Sequence, residues 1–519
     1  MTKPENERST DAPAPLTGSM PPGPPAKSIA RNTVSALLVQ GTTAVFTAVM
    51  TLYLIRTLGP ASFGLFTLAL SLTGIAGLVA RFGVPQSLAR FLANSRTDPV
   101  ACAGLIRDAL HVTILTASCV GLALFVAAGP IASAYGEAEL VWPLRGMAVA
   151  LVAETILALY IGVFIALARI SSNLRIVFVE SLVETGATIA LVAAGAGATG
   201  AAFGRATGYI VGTAMAAVMV SRLVGRLARA ASHHGGRPRR KGEILRYAKS
   251  LFVLDTIYGL YSRIDVILIG AMLSTTSIGV FSAPKRLMPG LEGISLAIAN
   301  SVSPRQAPSE GGRYLGAFTA SLRWLMILYS AFIAVLLVWA DPIVSLLFGP
   351  KYAGSAAVLQ LLTPFIFLNS ISPLVSTTVN YLGLARERIP IAMGALAINL
   401  VIDVVFLPRI GITAAAIGTS AAFMLYVPAH LRICRREMGF PLRPLAATGL
   451  RALLAATTMG AILGLAHAHG LTPALTVIGL LGGSAAFVAV LILTREVSVA
   501  ELRTVYGAVV ARVPNRRSN

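Results

Sequence analysis

Apolar residues in this chain come in long runs separated by short polar links. Runs of bilayer-spanning length fall near 34–55, 62–80, 108–129, 144–167, 174–196, 200–221, 249–272, 277–302, 321–340, 355–381, 389–408, 412–431, 446–467 and 471–493. The pattern predicts an all-α polytopic membrane protein of about fourteen transmembrane helices. The links alternate between long basic ones and short neutral ones. No outer link is longer than those at 130–143 and 341–354, so the chain has no room for an extramembrane catalytic domain.

Two of these runs carry more charge than a lipid-facing helix tolerates. Along 249–272, Asp255, Tyr258, Ser262 and Asp265 fall on one helical face, and Arg263 projects elsewhere. Lys285 and Arg286 follow about ten residues into the next run, near mid-bilayer depth. A charge there costs on the order of 2.5–3.5 kcal/mol on insertion scales, so such groups face partners or a water-filled cavity.

Composition supports the membrane assignment. The 519 residues are 56% hydrophobic and only 12% charged, with a mean hydropathy of +0.78, whereas soluble domains hold about 25% charged residues. The 48 glycines suit close helix packing in lipid. Cys102, Cys119 and Cys434 are scattered apolar fillers that make no disulfide or metal motif. His467 and His469 lack a neighbouring Cys, Asp or Glu, so neither a metal nor a cofactor is expected. Residues 1–30 are polar and Pro-rich, read as a disordered tail with no cleavable signal before the run near Val34.

A net charge of +21 would point to nucleic acid in a soluble chain. Here 34 of the 42 Lys and Arg residues fall on one side of the predicted spans, and only Arg56, Arg145, Lys351 and Arg409 on the other. That asymmetry predicts both termini on the cytoplasmic side of a bacterial inner membrane, with membrane lipids rather than nucleic acid as the basic surface's partner. The link at 222–248, with Arg237, Arg239, Arg240 and Lys241, reads as a headgroup anchor and a boundary between halves. The tail 494–519 sets Val499, Leu502, Tyr506, Val509 and Val513 on one face, as a surface helix would.

The halves resemble each other. LGPASFGLF (58–66) matches LSTTSIGVF (273–281); Pro130-Ile131 with Ser133 matches Pro342-Ile343 with Ser345; GATGAAFG (197–204) matches GITAAAIG (411–418). Six spans per half make the repeats parallel: a lobe over 31–221, a second over 249–432, and two extra helices over 446–493. The stretches RTLGPASFGLFTLALSLTGIAGLVARFGVPQSLARFLAN (56–94) and YSRIDVILIGAMLSTTSIGVFSAPKRL (261–287) resemble bacterial polysaccharide and O-antigen flippases. These belong to the multidrug/oligosaccharidyl-lipid/polysaccharide exporter superfamily. The resemblance implies a twelve-helix, two-lobed exporter core that moves a polyprenyl-diphosphate-linked oligosaccharide across the cytoplasmic membrane, in company with other polysaccharide assembly proteins. It implies no enzyme activity.

On that reading Arg263, Lys285 and Arg286 are the candidates to grip the diphosphate. The alternative is that each closes an ion pair with Asp265, Glu292 or Asp403. Arg205, near a span end, and Arg81 and Arg90, around the Pro-containing elbow RFGVPQSLARF, are secondary candidates; snorkelling or positive-inside anchoring is their plainer role. Glu180 and Glu184, one turn apart on span five, are candidate ion-coupling residues, as are Asp265, Asp403 and Glu154. The rival functions are a peptidoglycan-precursor flippase, a cation-coupled multidrug exporter, and a membrane-embedded polymerase or ligase.

Overall fold

Local sequence signals set several helix ends. Asp98 precedes Pro99, and its carboxylate accepts from the backbone N–H groups of Val100 (2.9 Å) and Ala101 (3.0 Å), capping the next helix. Gly439 ends another in the left-handed region at φ 71°. The structure, a computed structural model, describes residues 26–95, 98–167, 169–230, 252, 256–257, 259–302, 311–468, 473–501 and 503. Asp255, Tyr258, most of the 222–248 link, His469 and most of the C-terminal tail lie outside the described residues.

Helices follow one another with no strand among the described residues. The first half holds α1 (Ala26–Arg81), α2 (Val84–Asn94), α3 (Pro99–Ala134), α4 (Val141–Ala166), α5 (Ile170–Ala193) and α6 (Gly197–Ala230). The second holds α7 (Ile264–Met272), α8 (Thr275–Lys285), α9 (Met288–Val302), α10 (Gly311–Val338), α11 (Ala340–Phe348), α12 (Ser355–Leu361), α13 (Thr363–Tyr381), α14 (Arg388–Ile410) and α15 (Thr413–Met438). Then come α16 (Leu442–Ala468) and α17 (Pro473–Leu493). Large apolar side chains such as Leu115, Leu122 and Val126 on α3 stand outward, as lipid requires.

Ten of the described helices are long and apolar enough to cross a membrane, or eleven if α12 and α13, bent by 50°, form one span. The fourteen expected are therefore not all found as separate helices. The first two expected spans both lie in α1, which is two helices joined at Gly59, where the backbone leaves helical geometry (φ 71°) just before Pro60. The seventh lies partly outside the described residues and breaks at Ser262–Arg263. The eighth is two short helices, α8 and α9, parted after Pro284.

The tightest first-half seam is between α5 and α6. Glycines 204, 208 and 212 of α6 lie against Thr188, Glu184 and Glu180 of α5. A Cβ on Gly212 would sit 2.8 Å from that of Glu180, and one on Gly208 2.5 Å from that of Glu184. Gly208→Leu is expected to destabilise the detergent-solubilised protein by about 1–3 kcal/mol through overpacking. Gly186→Leu, which faces open space on α5, is expected to melt like the wild type. Equal melting of the two variants would refute this packing.

Where the halves meet, the repeat is reciprocal. Gly64 and Gly279 are equivalent residues of the matched nonapeptides. A Cβ on Gly64 would overlap the Thr275 carbonyl, and one on Gly279 would overlap the carbonyl of Pro60, the residue equivalent to Thr275. Such an exchanged contact is the mark of a local two-fold relation. Of the extra helices, α16 docks on α10 and α17 packs on α16. Arg323 of α10 pairs with Glu496 (2.8 Å) and Glu501 (3.0 Å), and Glu496 also takes Arg451 (2.8 Å) and the Thr448 hydroxyl (2.7 Å). Burial pushes the Glu496 carboxyl up, but hydrogen bonds from Arg451, Thr448 and Arg323 outweigh it and hold the group below the ordinary carboxylate range.

Candidate functional site

The two broken spans bring the interior cations to the seam between the halves. At the first break, the Arg263 guanidinium turns back to donate to the Gly259 carbonyl (3.0 Å) and to Ser262 Oγ (2.9 Å). Because the helix restarts at Ile264, Arg263 does not follow the face expected of a continuous helix; it lies against Gly74 of α1, where any side chain would collide with it. Breaks of this kind give side chains and backbone to binding sites at mid-membrane depth.

Arg263 closes a cavity of about 80 Å³ whose wall includes Arg81, Glu154, Arg205, Thr73 and Thr155. Three cations therefore face one carboxylate. Arg81 meets Glu154 at 3.3 Å. Arg205 reaches out of the cavity to Glu184 (2.6 Å) and the Tyr209 hydroxyl (2.7 Å). Arg263 has no carboxylate partner among the described residues, and neither does Arg286, which lies over the Phe63 ring at 5.9 Å. Arg90 is exposed on α2 and does not line the cavity.

Lys285 takes the ion pair that the alternative reading assigns it. Its Nζ lies 2.8 Å from Asp265 Oδ2, which also accepts from the Thr419 hydroxyl at 2.9 Å. Asp403 adjoins Asp265, and Asn399 stands one turn before Asp403 on α14. Asp265, Asn399 and Asp403 are at most 1% exposed. Asp265 Oδ1, both Asp403 oxygens and both polar atoms of the Asn399 amide lack hydrogen-bond partners. Gly418 makes the room: its Cβ would fall 2.8 Å from both Asn399 Nδ2 and Asp403 Oδ1. A buried oxygen cluster of this kind is costly unless a proton or cation joins it. Sequence reasoning singled out both aspartates but missed Asn399 and Thr419. An amide one turn before an acid inside an apolar run was the available signal.

Glu180 and Glu184 are both buried where α5 meets α6; Glu184 is held by Arg205, and Glu180 accepts from Ser181 at 3.1 Å. Sequence reasoning also missed a cluster nearer the arginine-rich end of the second half. There Arg388 donates to Asn380 Oδ1 (2.7 Å), His430 Nε2 (3.3 Å) and the Tyr426 hydroxyl (3.2 Å).

Contacts close the seam at both ends. At the end poor in Lys and Arg, Arg56 donates to the Leu346 and Leu347 carbonyls, Thr275 donates to Glu137 Oε1 (2.9 Å), and Gly64 nests on Gly279. At the arginine-rich end the Phe82 and Phe252 rings are 4.9 Å apart and Gly259 lies against Leu78. Gly279→Leu is expected to hold the first end apart. Spin labels at Thr57 and Leu346 would then report a longer mean distance than in the wild type, and an unchanged distance would refute this closure.

The sequence profile of the polysaccharide biosynthesis protein family matches residues 29–307, more than half of the chain. The chain belongs to the polysaccharide biosynthesis protein family. Within this family's reach, the chain is 30% identical over 158 residues to the putative O-antigen transporter of Escherichia coli K12, covering 29% of this chain and 38% of that one. It is 25% identical over 197 residues to the probable low-salt glycan biosynthesis flippase Agl15 of Haloferax volcanii, covering 35% and 41%. Each match thus spans about two fifths of the curated relative. In fold, this family member is similar to the lipid II flippase MurJ in an inward closed conformation (TM-score 0.66, 11% identity, 90% of this chain and 99% of that one). It is also similar to an inward-facing MATE transporter of the MOP superfamily (TM-score 0.59, 14% identity, 78% and 98%).

Proposed function

We propose that this protein is a flippase that carries a polyprenyl-diphosphate-linked oligosaccharide across the bacterial cytoplasmic membrane by alternating access, and that it catalyses no covalent step. The observation that carries the proposal is the cavity lined by Arg81, Arg205 and Arg263, where Arg81 is paired with Glu154 and Arg205 with Glu184 but Arg263 meets only neutral oxygens among the described residues. An uncompensated guanidinium in a low-dielectric gap suits a diphosphate and repels a cationic drug. The curated relatives, whose names state O-antigen transport and glycan flipping, support the same substrate class.

The lobes of this reading are residues 31–221 and 249–432, with the arginine-rich end in the cytoplasm. The two-fold nesting of Gly64 and Gly279 supports lobes that rock about a shared seam. A cavity of about 80 Å³ is far too small for a sugar diphosphate, so the seam opens at the Phe82–Phe252 end to load. The headgroup then meets Arg263, with Arg81 and Arg205 beside it, while the prenyl chain stays in lipid. Opening at the Gly64–Gly279 end releases it. The cluster of Asp265, Asn399, Asp403 and Thr419 takes the coupling proton or monovalent cation as cargo on Asp403, beside the Lys285–Asp265 ion pair.

The test is transfer of a fluorescent polyprenyl-diphosphate oligosaccharide between the leaflets of proteoliposomes holding the full chain. The expected result is protein-dependent transfer that the same glycan on a neutral lipid does not show. Equal transfer of both would overturn the proposal.

A further inference from the structure

The first half holds a second arginine cluster that the flippase reading leaves unused. Where α4 turns into α5, the end of α6 completes a cavity of about 570 Å³ lined by Arg169, Ser172, Arg175, Arg222, Met215 and Met219, among others. It shares no lining residue with the central cavity. All three arginines are exposed, and none has a carboxylate partner among the described residues. Arg81, Arg205, Arg323, Arg436 and Arg451, by contrast, each meet a glutamate. Three guanidinium groups brought to one pocket without a counter-charge repel one another, and an anion bridging them removes that cost.

The walls beside the arginines are apolar. Val218, one turn before Arg222 on α6, is 49% exposed. Met215, Met219 and Leu223 complete the apolar wall of the pocket. Val218 carries this apolar lining out to the lipid-facing surface, so an anion held by the arginines can carry hydrocarbon along this groove. The backbone N–H groups at the start of α5, directly after Arg169, add a favourable field for negative charge. A free phosphate ester would use the arginines alone and leave the groove bare.

We propose that this pocket is a binding site for an anionic phospholipid, its phosphate gripped by Arg169, Arg175 and Arg222 and its acyl chain lying along Met215, Val218 and Met219. The proposal rests on the membrane orientation given above but not on flipping, and binding is read without transport. A lipid held there is a fixed tether for the first lobe at the bilayer surface.

The experiment uses the full-length protein in neutral detergent, with cardiolipin and phosphatidylcholine titrated separately and followed by native mass spectrometry. Each basic residue near a membrane surface contributes roughly a fivefold change in binding. The triple variant Arg169→Gln, Arg175→Gln and Arg222→Gln is therefore expected to bind cardiolipin roughly a hundredfold more weakly. Phosphatidylcholine binding should not change. A control triple at the same end, Arg386→Gln, Arg432→Gln and Arg443→Gln, is expected to retain cardiolipin. Equal losses in both triples would show diffuse charge rather than a site and overturn the proposal. Displacement of cardiolipin by equimolar glycerol 3-phosphate would overturn the lipid as occupant in favour of a soluble phosphate. If transport of the labelled oligosaccharide fails while these affinities hold, the flippase reading falls and the lipid site stands.

Discussion

Replacing Arg263 by alanine is expected to slow transfer of the labelled lipid-linked oligosaccharide by about ten- to a hundredfold, the worth of a hydrogen bond to a charged group of roughly 1.5–3 kcal/mol. The expectation rests on its geometry. Arg263 stands at a helix break, in the seam, with only neutral oxygens of Gly259 and Ser262 as partners. Its charge is thus available to an anion, and removing it leaves no carboxylate stranded. Arg263→Ala is therefore expected to melt within about 0.5 kcal/mol of the wild type, as substitutions without such a mechanism do. Arg205→Ala is the contrast: it leaves Glu184 buried and unpaired, a change that typically costs about 3–5 kcal/mol. Full transfer by a folded Arg263→Ala protein would remove the central grip from the mechanism.

Much of the architecture is legible in the sequence because the bilayer imposes one length and one polarity on every span. The helical membrane class and the polysaccharide biosynthesis family follow from that pattern and from the stretches at 56–94 and 261–287. The breaks are harder to read. Gly59-Pro60 is the exception: it appears as the gap between two runs, and the backbone does leave helical geometry there. Ser262–Arg263 carries no Pro or Gly, so nothing local marks the break that turns Arg263 into the seam. The α6 glycines repeat every four residues in plain view, but that spacing cannot say which helix they face. Only the structure sets Glu180, Glu184 and Thr188 against them. Pairing is likewise a tertiary property. The alternative of Lys285 with Asp265 was open from residue types alone, and the choice depended on how α7 and α8 cross.

The second large effect concerns energy. Asp403→Asn is expected to abolish gradient-driven accumulation while sparing exchange between leaflets. In the wild type, both Asp403 oxygens and the Asn399 amide are sealed without partners beside Asp265. When Asp403 is ionised, the two adjacent buried carboxylates and the one ammonium, on Asp265, leave one negative charge uncompensated. In the proposed cycle a proton or monovalent cation arriving from one side joins Asp403 and cancels that charge while Lys285 stays on Asp265, and its departure to the other side restores the charge. One elementary charge moved through about 100 mV is worth about 2.3 kcal/mol, which is roughly a fiftyfold accumulation of substrate. Asparagine keeps the shape of the aspartate but not its charge, so the cluster becomes neutral without a bound cation and no longer distinguishes loaded from empty. The variant should fold at least as well as the wild type, since a buried amide is less costly than a buried unpaired carboxylate. In proteoliposomes with an imposed potential, the accumulation ratio should fall from tens to near one, with the gradient-free exchange rate unchanged. A variant that still concentrates the lipid-linked oligosaccharide would place the coupling site elsewhere, with Glu180 and Glu184 the next groups to neutralise.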